Sequence, residues 1–210
     1  MRQFLLLCAV GIVSLGSVNG GSGPPPPAVV RQESADLFAK GTYEFQSVAG
    51  VFYFFDRGDN DGPSIDLAVE SLRLGVMLSN PHGSGFFAGN SELLGEIFGG
   101  GIFQGPGSVE AGATLFIRYN FIQPHARVIP YMQIGGGGIY TDISERESRG
   151  LVSLPVEFNL QAGIGSRFMV NDRWSIVLEG VYRHISNAEI NKPNFGIDSV
   201  GGNVGFGFSF

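Results

Sequence analysis

Disulfides are the first thing this chain does without. Its one cysteine, Cys8, lies in the amino-terminal apolar segment and has no partner to bridge to. Histidine is nearly missing as well, at three residues, and neither His82 nor His125 has neighbours spaced as metal ligands. Basic residues are few, 13 against 19 acidic, for a net charge of −6. With no basic patch, nucleic acid is excluded as a partner. After the amino-terminal segment no apolar run is long enough for a transmembrane helix, so any crossing of a bilayer has to be made with strands.

Glycine and phenylalanine are abundant instead, at 33 and 18 residues. Both suit a strongly curved sheet with an aromatic outer surface. The chain opens Met1-Arg2-Gln3, runs apolar from Phe4 to Leu15, and then turns to small residues. Val18 and Gly20 fall at the −3 and −1 positions of a cleavage site, so residues 1–20 read as a secretory signal peptide. Residues 21–41, with Pro24 to Pro27, read as a Gly/Pro-rich periplasmic segment, and 42–210 as one barrel.

From Thr42 onward the chain divides into eight stretches of strand length: 42–55, 64–79, 90–103, 109–121, 129–142, 152–168, 173–186 and 199–210. Period-2 alternation is plainest in the last of these, where Val204, Phe206, Phe208 and Phe210 oppose Ser199, Asn203 and Ser209. It recurs in the seventh, where Trp174, Ile176, Leu178 and Tyr182 oppose Ser175, Glu179 and Arg183. A soluble lipocalin-like barrel gives the same alternation turned inside out. The polar face here mixes Glu, Arg, Asn and Gln with glycine, as a narrow crosslinked lumen requires, and Tyr119, Tyr140, Trp174 and Tyr182 sit toward strand ends. The expected fold is therefore all-β, an eight-stranded antiparallel transmembrane β-barrel of the bacterial outer membrane, with the loop 186–199 on the outer side.

His184 and Ser186 are two apart on one strand and share the lipid-facing parity of Trp174 and Leu178; Asp198 shares that of Val204 and Phe206. An imidazole facing hydrocarbon is costly unless paired or at the interface. The chemistry that suits the set is nucleophilic: Ser186 attacks a carbonyl, His184 takes its proton, and Asp198 orients the imidazole. Asn194 or Asn187 could donate a side-chain amide to the oxyanion, with backbone N–H groups near Gly196 assisting. Spacing alone leaves a second reading open, in which His184 and Ser186 are ordinary rim residues and Asn187 starts a turn.

The stretch Tyr182-Arg-His184-Ile-Ser186-Asn187-Ala188, followed by Lys192-Pro193-Asn194-Phe-Gly196, resembles the signature of the outer-membrane lipid A 3-O-deacylases, the acyloxyacyl hydrolase (PagL-like) family. The resemblance implies a serine esterase of the Gram-negative outer membrane that hydrolyses the ester-linked 3-hydroxyacyl chain at position 3 of lipid A. It implies lipopolysaccharide and the bilayer as partners, and no metal or organic cofactor. By the same resemblance Ser186 is the nucleophile, His184 the base, Asn194 the oxyanion asparagine, and Asp198 stands where the family usually has glutamate. The shorter acid has to recover its reach to His184 through a small backbone shift. Arg183 and Lys192 are the nearest basic candidates for the lipid A phosphates, against the acidic loop residues Asp59, Asp61, Glu145 and Glu147. Two other functions compete: a non-catalytic small barrel, and a lipase or phospholipase using the same triad. Whether the barrel forms a homodimer is left open.

Overall fold

The computed structural model describes residues 37–55, 58, 62–143 and 145–210. The expected signal peptide and nearly all of the Gly/Pro-rich segment lie outside the described residues, as do Asp59 and Asp61. Eight strands follow in order: β1 (Tyr43–Phe54), β2 (Asp66–Met77), β3 (Gly89–Gln104), β4 (Val109–Phe121), β5 (Val128–Thr141), β6 (Val156–Met169), β7 (Trp174–Ser186) and β8 (Ile197–Ser209). Each pairs antiparallel with the next, and β8 pairs with β1 to close a barrel. Closure leaves no unpaired edge, the one arrangement that lets strands sit in hydrocarbon.

The barrel is staggered. A row of paired residues leaving β6 at Val156 passes through Tyr140, Ala111, Gly99, Glu70, Ala49, Val204 and Leu178 and returns to β6 at Ser166. That is a shear of ten residues over eight strands, which tilts the strands roughly 40° from the axis.

Side chains alternate as the period-2 pattern requires. Leu178, Val204 and Phe206 point outward and are about half exposed, whereas Glu179, Asn203 and Arg183 point inward and are buried. The lumen is a solid of charged groups. Glu179 accepts from Arg73 at 2.7 Å, Tyr131 at 2.8 Å, Asn203 at 2.9 Å and Gln133 at 3.2 Å. Arg167 joins Glu44 and Glu92, the latter at 2.6 Å. Phe116, the one aromatic on the polar face of β4, is fully buried, and Gly135 makes room for it. A Cβ at Gly135 would stand 2.5 Å from the Phe116 ring.

Most strand limits differ from expectation by one or two residues, and the starts of β6 and β8 are the ones that bear on the site. β6 begins at Val156 and not at 152, because the backbone N–H groups of Ser153 and Leu154 go to the Glu157 carboxylate at 3.1 and 2.9 Å instead of to a ladder. Leu151 and Val152 turn inward and pack with Phe52, Ile65, Val181, Ile185 and Ile197 as an apolar plug at one end of the lumen. β8 begins at Ile197 and not at 199, which takes Asp198 out of the loop and into the sheet.

At the same rim, outside the strands, the Asp142 carboxylate accepts the backbone N–H groups of Ser108 and Val109 at 2.8 and 3.0 Å. These bonds hold its carboxyl below the usual aspartate range. A carboxylate depressed in the folded state contributes stability above its unfolded pKa and loses it as the pH falls through the folded one. Hydrogen-exchange protection at Ser108 and Val109 should therefore fall on acidification. Asp142→Asn, which keeps an acceptor oxygen but cannot titrate, should remove that dependence.

Candidate active site

β7 delivers His184 and Ser186 to the outward face because they are two residues apart on a pleated strand. β8 delivers Asp198 directly opposite His184, as its paired residue in the ladder. The short aspartate needs no long reach, since cross-strand neighbours already stand side by side. His184 Nδ1 lies 2.9 Å from Asp198 Oδ1, and His184 Nε2 lies 3.0 Å from Ser186 Oγ. With Nδ1 protonated toward the carboxylate, Nε2 is left with a lone pair for the serine hydroxyl. The imidazole is 23% exposed and the carboxylate 6%, so the acid is shielded while base and serine open onto the outer wall.

Tyr182 also takes part. Its hydroxyl donates to the same Asp198 Oδ1 that faces His184, at 2.5 Å, and its ring packs beside Phe55. Sequence reasoning had it only as a rim aromatic, although its shared parity with His184 put it on the same wall.

The loop 187–196 is built around amide bonds. Asn194 Oδ1 accepts the backbone N–H of Asn187 at 2.9 Å. Its Nδ2 makes three long contacts, 3.4 to 3.5 Å, to the Leu151 carbonyl and both Glu157 oxygens. The side chain of Asn187 is turned away into Ser153 Oγ and the Asn191 carbonyl, at 2.7 and 3.1 Å. The Gly196 N–H is held by the Leu151 carbonyl at 2.8 Å. Gly196 has φ +84°, and an added Cβ would stand 2.7 Å from His184 Cε1, so only glycine lets the chain pass beneath the imidazole. Ala188 and Glu189 take successive left-handed conformations, φ 52° and 64°, immediately after the Ser186-Asn187 pair. Left-handed non-glycine residues are costly and cluster where a site needs them.

The sequence motif and this geometry coincide with a family-level match. The family model described as lipid A 3-O-deacylase (PagL) matches residues 71–207, which holds β7, β8 and the loop between them. The chain belongs to the lipid A 3-O-deacylase (PagL) family. A member of this family is an outer-membrane hydrolase, and its barrel is the observed one. The crystal structure of the outer membrane enzyme PagL is similar at 16% identity and a TM-score of 0.50, over 76% of this chain and 97% of that one. Neisserial surface protein A is similar at 12% identity and 0.52, over 81% and 98%. The amino-terminal barrel domain of Pseudomonas aeruginosa OprF is similar at 16% and 0.50, over 81% and 98%. At such identities these likenesses show the fold alone. No curated protein matches the chain.

Within this PagL-family barrel two phosphate-contact candidates are corrected or weakened. Arg183 lies between Tyr182 and His184, so the pleat turns it into the lumen, where it is buried against Glu110 at 2.6 Å. Lys192 remains at the surface, paired with Glu189 at 2.9 Å.

Proposed function

We propose that the protein removes the ester-linked 3-hydroxyacyl chain at position 3 of lipid A, using Ser186 as nucleophile, His184 as base and Asp198 as orienting acid. The observation that carries this reading is the unbroken line Ser186 Oγ, His184 Nε2, His184 Nδ1, Asp198 Oδ1 on the wall that faces lipid. A lipid ester is thereby met without leaving the bilayer. The rim with the site also carries the connection 142–155, the longest in the barrel, while β6 and β7 are joined at the opposite rim by the tight turn 170–173. Outer-membrane barrels keep short turns in the periplasm and longer loops outside, so the site addresses the outer leaflet.

Ser186 Oγ adds to the ester carbonyl carbon as His184 Nε2 takes its proton. The tetrahedral oxyanion collapses, and His184 returns that proton to the departing sugar oxygen. Water, deprotonated by His184, then splits the acyl-serine to give the free 3-hydroxy fatty acid and restore the hydroxyl. Asn194 is the oxyanion donor in this scheme, because its Nδ2 contacts are long enough to be exchanged for a full negative charge. Asn187 and Gly196 act by placement: one anchors Asn194 through its N–H, the other leaves space under His184. The N–H groups of Ala188 and Glu189, which meet no acceptor among the described residues, supply a second donor.

Mass spectrometry of lipid A from outer membranes with and without the protein tests this reading. Loss of one 3-hydroxyacyl mass supports it; unchanged lipid A with shortened phospholipids would replace it by a phospholipase. Tyr182→Phe checks the role of the tyrosine. A hydrogen bond to a charged group is worth about 1.5–3 kcal/mol, so turnover should fall by roughly ten- to a hundredfold while KM stays near wild type.

A further inference from the structure

Among the described residues, Glu157 is the one buried glutamate that no arginine faces. Glu44, Glu92, Glu96, Glu110 and Glu179 each stand in an ion pair within the lumen. The Glu157 carboxylate is as deeply buried, yet it meets only N–H donors. It precedes Phe158, the ladder partner of Ser186, so continuing the register sets it at the level of Asn187.

Its two oxygens have different work. Oε1 accepts the backbone N–H groups of Ser153 and Leu154 at 3.1 and 2.9 Å, which ends the connection 142–155 against β6. Oε2 makes one contact among the described residues, to Asn194 Nδ2 at 3.4 Å. Shaping the connection accounts for the first oxygen and leaves the second unexplained.

The second oxygen bears on which way the Asn194 amide lies. That amide sits between the Asn187 N–H, which donates to Oδ1 at 2.9 Å, and the Glu157 carboxylate, which faces Nδ2. An ionised carboxylate only accepts. Reversing the amide would set its NH2 against the Asn187 N–H and its oxygen against Glu157, donor on donor and acceptor on acceptor. A neutral side chain at 157 with a donor of its own would impose no such choice. The choice has a chemical consequence, because a reversed amide would present an oxygen, and not an N–H, to a developing negative charge.

We propose, resting on the reading of Asn194 as the oxyanion donor to the Ser186 reaction, that Glu157 is the residue that positions that donor. It fixes the amide from the inward side and never touches the substrate. The hold is loose enough to be used. Nδ2 carries two hydrogens among three acceptors at 3.4 to 3.5 Å. The Leu151 carbonyl already accepts the Gly196 N–H at 2.8 Å, and Oε1 has its two backbone donors. Only Oε2 depends on Nδ2. One hydrogen can therefore stay with Glu157 while the other turns to the oxyanion, and no buried acceptor is left bare.

Glu157→Gln separates this role from a structural one. Its amide oxygen keeps the two short bonds to Ser153 and Leu154, which puts the new NH2 where Oε2 stood, facing Asn194 Nδ2. Hydrogen exchange by NMR on the refolded barrel in detergent micelles should show Ser153 and Leu154 as protected as in the wild type. The Asn187 N–H, losing Asn194 Oδ1 as the amide turns, should exchange at least about tenfold faster. Deacylation of lipid A in mixed micelles, followed by mass spectrometry, gives the kinetic half. Losing one oxyanion donor costs about 10²–10³-fold, so kcat should fall by about tenfold or more in Glu157→Gln with KM near wild type. On an Asn194→Ala background the same change should cost nothing further, whereas independent structural damage would multiply. A wild-type kcat in Glu157→Gln, or losses that multiply, would overturn the proposal. So would an Asn187 N–H that stays protected in Glu157→Gln. If the wild-type protein leaves lipid A intact, the deacylase reading falls, and the Asn187 exchange by itself decides whether Glu157 holds the amide.

Discussion

Ser186→Ala should leave a folded barrel that no longer shortens lipid A, with turnover down by roughly 10⁴-fold or more. The residue is half-buried on the outer wall and its hydroxyl bonds only to His184 Nε2 among the described residues, so losing it opens no cavity and strands no buried partner. His184→Ala should cost about as much, and the double variant little more than either alone, because a nucleophile without its base and a base without its nucleophile are equally idle. Asp198→Asn should also act strongly, since the amide favours the tautomer that points an N–H at Ser186. Tyr182 modulates this outcome, for its hydroxyl shares the Asp198 oxygen that faces His184. Mass spectrometry of lipid A at matched levels of heat-modifiable protein reads these effects. Wild-type deacylation by folded Ser186→Ala would sink the triad, while leaving family membership untouched.

Glu179→Ala should be the most destabilising single change in the lumen, costing about 3–5 kcal/mol. Its carboxylate takes Arg73, Tyr131, Gln133 and Asn203 within 3.2 Å, and a second guanidinium, Arg118, at 3.5 Å. Removing it leaves Arg118 with its remaining carboxylates, Glu44 and Glu92, at 3.5 and 3.6 Å, and Arg73 with Glu96 alone. Both guanidinium groups are fully buried, so neither can replace the lost carboxylate with bulk solvent. Glu179→Gln should cost less, since the amide oxygen still accepts. Urea unfolding in lipid vesicles measures the difference. A loss below about 1 kcal/mol for Glu179→Ala would mean that the network is replaceable by its neighbours.

The contrast between Arg183 and His184 shows how far the sequence reaches. Adjacent residues on a strand point to opposite faces, so the parity that placed His184 on the lipid wall also placed Arg183 on the polar face with Ser175 and Glu179. Reading Arg183 as a phosphate contact conflicted with that placement, and the structure decides for the lumen. Tyr182 was visible as a wall residue but not as a partner of Asp198, since parity specifies a face and not a distance.

What the sequence determined by itself is whatever repeats every second residue: eight strands, the face each side chain takes, and the placing of serine, histidine and aspartate on one wall. Only the tertiary structure decided the rest. The stagger of ten residues sets which side chains share a level, and closure brings β1 beside β8, so that Glu44 reaches Arg167 from the far side of the lumen. Register sets Asp198 opposite His184, and the inward turn of Leu151 and Val152 ends β6 short of its apolar pattern. The pleat is a local property of the backbone, carried by neighbouring residues. Which residues face one another across the lumen depends on the whole circuit of hydrogen bonds, and no segment of the chain contains that information alone.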